Sequence, residues 1–150
     1  MSFYVLRAAS QVGHYEELYP TLMKPWDAMI EANLTTWVED DVMFRSDCHG
    51  WSSSSVYEIV HEIFDLSPAE KGYQKIQVRP RFKLQRSAKG TFVIADGTVD
   101  IGWDPTRGFE IKASRDIAAE IVIKNFSHKC TFLACVPMYL TTYKEWIVER

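Results

Sequence analysis

Residues 91–103 read TFVIADGTVDIGW. Thr91 to Ile94 reads as a strand run and Thr98 to Trp103 alternates in polarity, with Asp96-Gly97 between the two runs. A period of two belongs to a half-buried strand, and a short Asp-Gly joint between two such runs predicts a β-hairpin. The same period marks Lys75 to Val78, Phe109 to Ala113 and Ala118 to Lys124, and Arg107-Gly108 supplies another turn. The last stretch, Cys130 to Val148, is strand-like but less regular. Short strands at turn-separated intervals predict an antiparallel β-sandwich from about Tyr73 onward.

Upstream of that seam the period is helical. Phe3 to about Gln11 predicts one helix, with Val5, Leu6, Ala9 and Val12 on one side and Gly13 as its stop. Tyr15 to Ala32 predicts a second, with Leu18, Leu22, Trp26, Met29 and Ile30 on one face. Pro20 and Pro25 each remove a backbone donor, so a kink or break is expected there. Ser55 and Glu58 have the spacing of a capping box and predict the start of a third helix, which Leu66-Ser67-Pro68 closes. The fold class is therefore α+β, with helices over residues 1–66 and the sandwich over 73–150. The apolar faces of the helices call for a partner layer. Helices on the sheet are one solution, and a larger parent structure is the other.

The 150 residues carry 47% hydrophobic and 25% charged side chains, the balance of a folded domain. A net charge of −3 with no basic stripe gives no reason to expect nucleic acid or an anionic membrane as partner. No apolar run reaches the roughly 20 residues that span a bilayer. The opening MSFYVLRAAS is too polar for a signal peptide, which implies a cytoplasmic protein if Met1 is the true start. Cys48, Cys130 and Cys135 contain no CxxC pair and predict no disulfide framework.

Between the second and third helices lies LTTWVEDDVMFRSDCHGW, residues 34–51, which has neither period. Glu39 beside tryptophans is either a base with a raised pKa or a solvated loop acid. Asp40, Asp41 and Asp47 lack the regular oxygen spacing and glycine of a calcium loop, and read as solvated acids or helix caps. Cys48-His49 shows no orienting third group for nucleophilic catalysis and too few neighbours for zinc. The expectation for Cys48 is a buried, inert thiol. His49 and Trp51 near a carboxylate are groups that a sugar site uses, one bonding hydroxyls and the other lying against a C–H face. A structural His-Trp pair accounts for them equally well. His14, His61 and His128 are isolated, and Trp103 and Trp146 fall in strand-like runs as core or interface residues.

Taken in order, FYVLRA, the Trp26 to Met29 helix, LTTWVE, RSDCHGWSSS and the strand Gly72-Tyr73-x-Lys75-Ile76-x-Val78-x-Pro80 resemble the C-terminal end of α-L-rhamnosidases, glycoside hydrolase family 78. The resemblance runs from about residue 2 to residue 123. It implies that residues 1–66 are the last helices of an (α/α)6 barrel and residues 73–150 a C-terminal β-sandwich. It further implies an inverting glycosidase, in which one carboxylic acid protonates the leaving oxygen and one carboxylate activates water. Glu39 falls on the general base, His49 on a histidine that touches the sugar, and Trp51 and Trp37 on the substrate-binding wall. No metal and no cofactor are implied.

The family's general acid lies upstream, near a Trp-x-Gly-Asp element that these residues do not contain. The expectation is thus the C-terminal part of a rhamnosidase-like hydrolase, inactive alone. Its parent's substrates would be rhamnose-containing glycosides. A non-catalytic sugar-binding or bracing module is the alternative, and exposed helix faces would favour a homo-oligomer.

Overall fold

The structure is a computed structural model and describes residues 2–40, 46, 48–123, 126–133 and 138–140. Of the sequence expectations, those on Asp41, Asp47, Cys135 and Trp146 lie outside the described residues. Two compact units make up the chain, Met1–Val60 and His61–Arg150.

The first unit is helical. Helix α1 is Ser2–Gln11, and Gly13 follows it with φ +81°, the left-handed geometry expected of a helix stop. The second predicted helix is broken in two, α2 Tyr15–Leu22 and α3 Lys24–Glu31, with Met23 between them. Proline accounts for both ends. Pro20 lies inside α2, where its ring removes a hydrogen bond, and the helix ends two residues later. Pro25 lies in the first turn of α3, where a missing N–H costs nothing. The break resets the helical phase. The inward stripe is Tyr15, Tyr19, Trp26 and Met29, while Leu18 and Ile30 stay exposed. In α1 the buried residues are Leu6 and Ala9, and Val5 and Val12 face outward.

The third predicted helix is less regular than its spacing implied. It opens as a 3-10 turn over Gly50–Ser53, continues as α4, Ser54–Glu58, and passes into a π-helical turn, Ile59–Phe64. No side chain caps its start. Glu58 does not reach back to close a capping box. It is fully buried, and its carboxylate accepts from the Arg7 guanidinium, at 3.0 Å through Nε and again through Nη2, and from the Tyr15 hydroxyl at 2.9 Å. One ion pair thereby ties α1, α2 and α4 together.

The second unit is a β-sandwich of two four-stranded sheets. Strands β1 (Leu66–Pro68), β2 (Lys75–Val78), β6 (Ala118–Ile123) and β7 (Phe126–Leu133) form one, in the order β1-β2-β6-β7. Strands β3 (Ala88–Ile94), β4 (Gly97–Asp104), β5 (Gly108–Ala113) and β8 (Met138–Leu140) form the other, in the order β3-β4-β5-β8. Leu66-Ser67-Pro68, expected only to end a helix, is itself strand β1 against β2. All pairings are antiparallel except β2 with β6, which run parallel from Lys75↔Ala118 to Val78↔Ile121.

The expected alternation fills the core. Val99, Ile101 and Trp103 on β4 stand opposite Ala113, Ile111 and Phe109 on β5, all buried. Ile76 and Val78, with Ala119, Ile121 and Ile123, face inward from the other sheet. Phe64, Phe82, Phe92, Trp103 and Phe109 form an edge-to-face chain with ring centroids 4.8–5.9 Å apart. The Trp103 Nε1–H donates to the Gln85 carbonyl at 3.0 Å, so its one polar atom is satisfied. Trp103 is a core residue, as its strand position predicted.

Candidate functional site

The irregular loop after α3 is held by its backbone. The Glu39 N–H donates to the Ser46 carbonyl at 2.9 Å, and the His49 N–H donates to the Trp37 carbonyl at 2.7 Å. These two bonds lay Trp37 alongside His49 and Glu39 alongside Ser46. Val38 is the anchor at 1% exposure, whereas Trp37 on one side of it is 37% exposed and Glu39 on the other is exposed. With Val38 buried between them, Trp37 and Glu39 are both left facing outward.

His49 is half-buried. Its Nδ1 is buried with no hydrogen-bond partner among the described residues. An unpaired buried polar atom costs about 1–3 kcal/mol and is rare in folded proteins. Here it lies in the residue to which the resemblance assigns a sugar contact. Cys48, expected to be buried, is an exposed free thiol. The reason is local: His49 is extended, with φ −113° and ψ 106°, and carries its Nδ1 inward, so the adjacent Cys48 side chain falls on the outer side. Asp40 is exposed, and no group of three or more His, Cys, Asp or Glu side chains suited to a metal ion occurs among the described residues.

Trp51 stands apart from these three. It is 67% exposed, in the 3-10 turn that follows His49. The turn is fixed from three directions. The Ser52 N–H donates to the His49 carbonyl at 3.0 Å, Ser53 Oγ donates to the Gly50 carbonyl at 2.6 Å, and the buried Trp26 donates its Nε1–H to the Ser52 carbonyl at 2.6 Å. Trp26 is thus the brace under the loop, and Met29 is buried on the same helix. Trp51 lines an open concavity of about 400 Å³ with Phe3, Gly50, Ser53, Ser54 and Tyr57. Neither Glu39 nor His49 lines it. Phe3 meets Tyr57 edge-to-face at 5.6 Å, and the Arg7 guanidinium lies over the Tyr57 ring at 5.1 Å.

Phe3, Tyr57 and the Arg7–Glu58 pair are the residues that sequence reasoning missed. The available signal was Arg7 inside the otherwise apolar FYVLRA, a charge that needs a buried partner if that face packs inward.

No protein-family model and no curated protein matches the sequence. Among solved structures, the chain is similar to the crystal structure of a GH78 family rhamnosidase of Bacillus sp. GL1, with a TM-score of 0.70 and 19% sequence identity. The fold is GH78-like. The superposition covers 83% of this chain and 15% of that chain, so this chain spans a small share of that protein's length. At that identity the likeness speaks for the α+β fold of helices followed by a β-sandwich.

Proposed function

We propose that this chain is the C-terminal part of a glycoside hydrolase of the α-L-rhamnosidase kind. Residues 1–66 are the end of its six-hairpin barrel and residues 73–150 its C-terminal sandwich. The parent activity is hydrolysis of terminal α-L-rhamnosides with inversion, in which Glu39 takes a proton from the attacking water. The carboxylic acid that protonates the leaving oxygen belongs to polypeptide upstream. The likeness to a rhamnosidase over 83% of this chain carries the reading. Trp37 and Glu39 turned outward from a pinned loop support it. By itself the chain is inactive, because the missing acid alone is worth about 10²–10⁴-fold and the missing positioning surface more.

The test has two arms. The isolated chain is assayed against an aryl α-L-rhamnoside, with no turnover expected. Turnover that Glu39→Gln abolishes would overturn the claim of inactivity. The chain joined to the polypeptide encoded upstream of Met1 is expected to hydrolyse rhamnosides, and Glu39→Gln to lower kcat about 10²–10⁴-fold. A longer protein indifferent to Glu39→Gln would remove Glu39 from the mechanism.

A purely non-catalytic sugar-binding role for the sandwich is the second reading. Burial of Trp103 removes one of the two tryptophans that such a platform would use, and we assign residues 73–150 to bracing.

A further inference from the structure

We propose that strand β3 is a docking edge for a second copy of this chain, whose own β3 adds to it antiparallel about a two-fold axis at Thr91. The inference concerns the sandwich unit alone and does not depend on the rhamnosidase reading. Among the described residues, β3 ends its sheet, in the order β3-β4-β5-β8, and has a neighbour on one side. Where its outer backbone groups point follows from β4. The Thr98 N–H donates to Ser114 Oγ at 2.8 Å, and the Thr98 carbonyl accepts the Ser114 N–H at 3.0 Å. Both backbone groups of Thr98 are thus turned to the β5 side. Val93 stands opposite Thr98, and hydrogen bonding alternates along an antiparallel pair. Gly90, Phe92 and Ile94 therefore bond to β4, while Lys89, Thr91 and Val93 turn their N–H and C=O groups away from it, to the open edge.

Native sheets blunt such edges by shortening, bulging or proline. Strand β1 is three residues long and ends in Pro68, and β8 is three residues long. Strand β7 pairs with β6 across an irregular register. Strand β3 has none of these devices. It runs seven residues without proline, in unbroken register from Ala88↔Trp103 to Ile94↔Gly97. Its one charged side chain is Lys89. Lys89, Thr91 and Val93 are all exposed, Val93 at 85%.

A row of unpaired backbone groups accepts an extended strand, and the side chains select which one. With the axis at Thr91, Thr91 meets Thr91, and Lys89 of each copy meets Val93 of the other. All three pairs use the outward backbone groups, and a Thr–Thr pair is favourable across strands. No two lysines face each other, whereas an axis at Lys89 would set like charges directly opposite, which is destabilising. The same register brings the exposed Arg86 level with the exposed Asp96 of the second copy, at both ends of the pairing. Each Thr91 hydroxyl is already oriented by donating to Asp100 at 2.7 Å. The strand is self-complementary, as a two-fold interface requires.

The test follows amide hydrogen exchange of the 150-residue chain by NMR across a concentration series, with circular dichroism to confirm the fold of each variant. The Lys89, Thr91 and Val93 amides are expected to exchange fast when dilute and about tenfold or more slowly when concentrated. Those of Gly90, Phe92 and Ile94 are expected to stay protected throughout. Val93→Lys sets a cation against Lys89 of the second copy and is expected to raise the concentration for half-protection about tenfold. Val93→Glu sets an anion there and is expected to lower that concentration or leave it unchanged. Thr91→Pro removes a donor that β4 does not use, and is expected to leave the Lys89 and Val93 amides fast at every concentration. Should Thr91→Pro fail to fold, the two variants at the solvent-exposed Val93 decide. Fast exchange of the three amides at all concentrations overturns the pairing. Protection that ignores concentration places another part of the same chain on this edge and overturns it too. Equal weakening by Val93→Lys and Val93→Glu overturns the register about Thr91.

Discussion

Glu58 stands three places after a serine, the spacing of a helix cap, and yet it serves as the buried anchor of three helices. Local spacing made the cap legible; the partner that overrides it is Arg7, far away in the chain, and no periodicity links the two. A buried ion pair that loses one member leaves an unpaired charge, at a cost of about 3–5 kcal/mol. Glu58→Met and Arg7→Met should each lower the urea midpoint of the helical unit strongly. Replacing both with methionine should cost less than the sum of the two single changes, because no charge is then stranded. Equal additivity in the cycle would mean that the pair does not act as one. For the loop, the sequence showed which residue types it carries, Glu39 and Trp37 with His49. It did not show that Val38 is the anchor that turns the first two outward, nor that Trp51 belongs to a different concavity.

The β3–β4 hairpin was legible from alternation and from Asp96-Gly97, but the roles of those two residues are exchanged. Ile94 pairs with Gly97, so Ala95 and Asp96 form the turn, and Asp96 is the residue with φ +61°. Gly97 is needed for space. A Cβ there would lie 2.6 Å from Ser114 Oγ, which accepts the Thr98 N–H at 2.8 Å. Gly97→Ala should destabilise the sandwich by about 1–3 kcal/mol, as overpacking does, while Asp96→Gly should be tolerated. Thermal denaturation of the two variants side by side checks the order. The β4–β5 turn carries a pH signature. The Asp104 carboxylate accepts from the Thr106 hydroxyl and from the Arg107 and Thr106 N–H groups, which hold its pKa at about 2 against an ordinary 3.8. A depressed carboxylate stabilises fully above its unfolded pKa and loses that contribution as pH falls through the folded value. Stability should therefore decline between about pH 3.8 and 2, and Asp104→Asn should flatten that limb of a urea-midpoint profile. The π-turn at Ile59–Phe64 had no such legibility, because an extra residue in one turn changes no hydrophobic period that a short helix can display.

At the scale of the molecule, apolar exposure is uneven. Tyr4, Val5, Val12, Ile30 and Val56 are exposed in the helical unit, whereas Val93 is the large exposed hydrophobic residue among those described in the sandwich unit. Singly exposed apolar residues are ordinary, but several on neighbouring helices mark a surface that another chain covers. We propose that the isolated chain self-associates through these helices, most simply as a two-fold dimer. Light scattering across a concentration series should show a rising mass that Val12→Glu with Ile30→Glu reverses, and a mass that stays monomeric at high concentration would exclude it. The α+β division was legible because the period changes once along the chain. The parallel pairing of β2 with β6 was not, since both strands alternate identically whichever way they run. That pairing has a consequence for biosynthesis. As the chain leaves the ribosome, the β3–β4–β5 meander can close as soon as Ala113 emerges. Strand β2, made earlier, has only short β1 beside it until Ala118–Ile123 appears. During that interval it presents an unsatisfied edge to solvent, and a pause in translation before residue 118 would lengthen its exposure to chaperones.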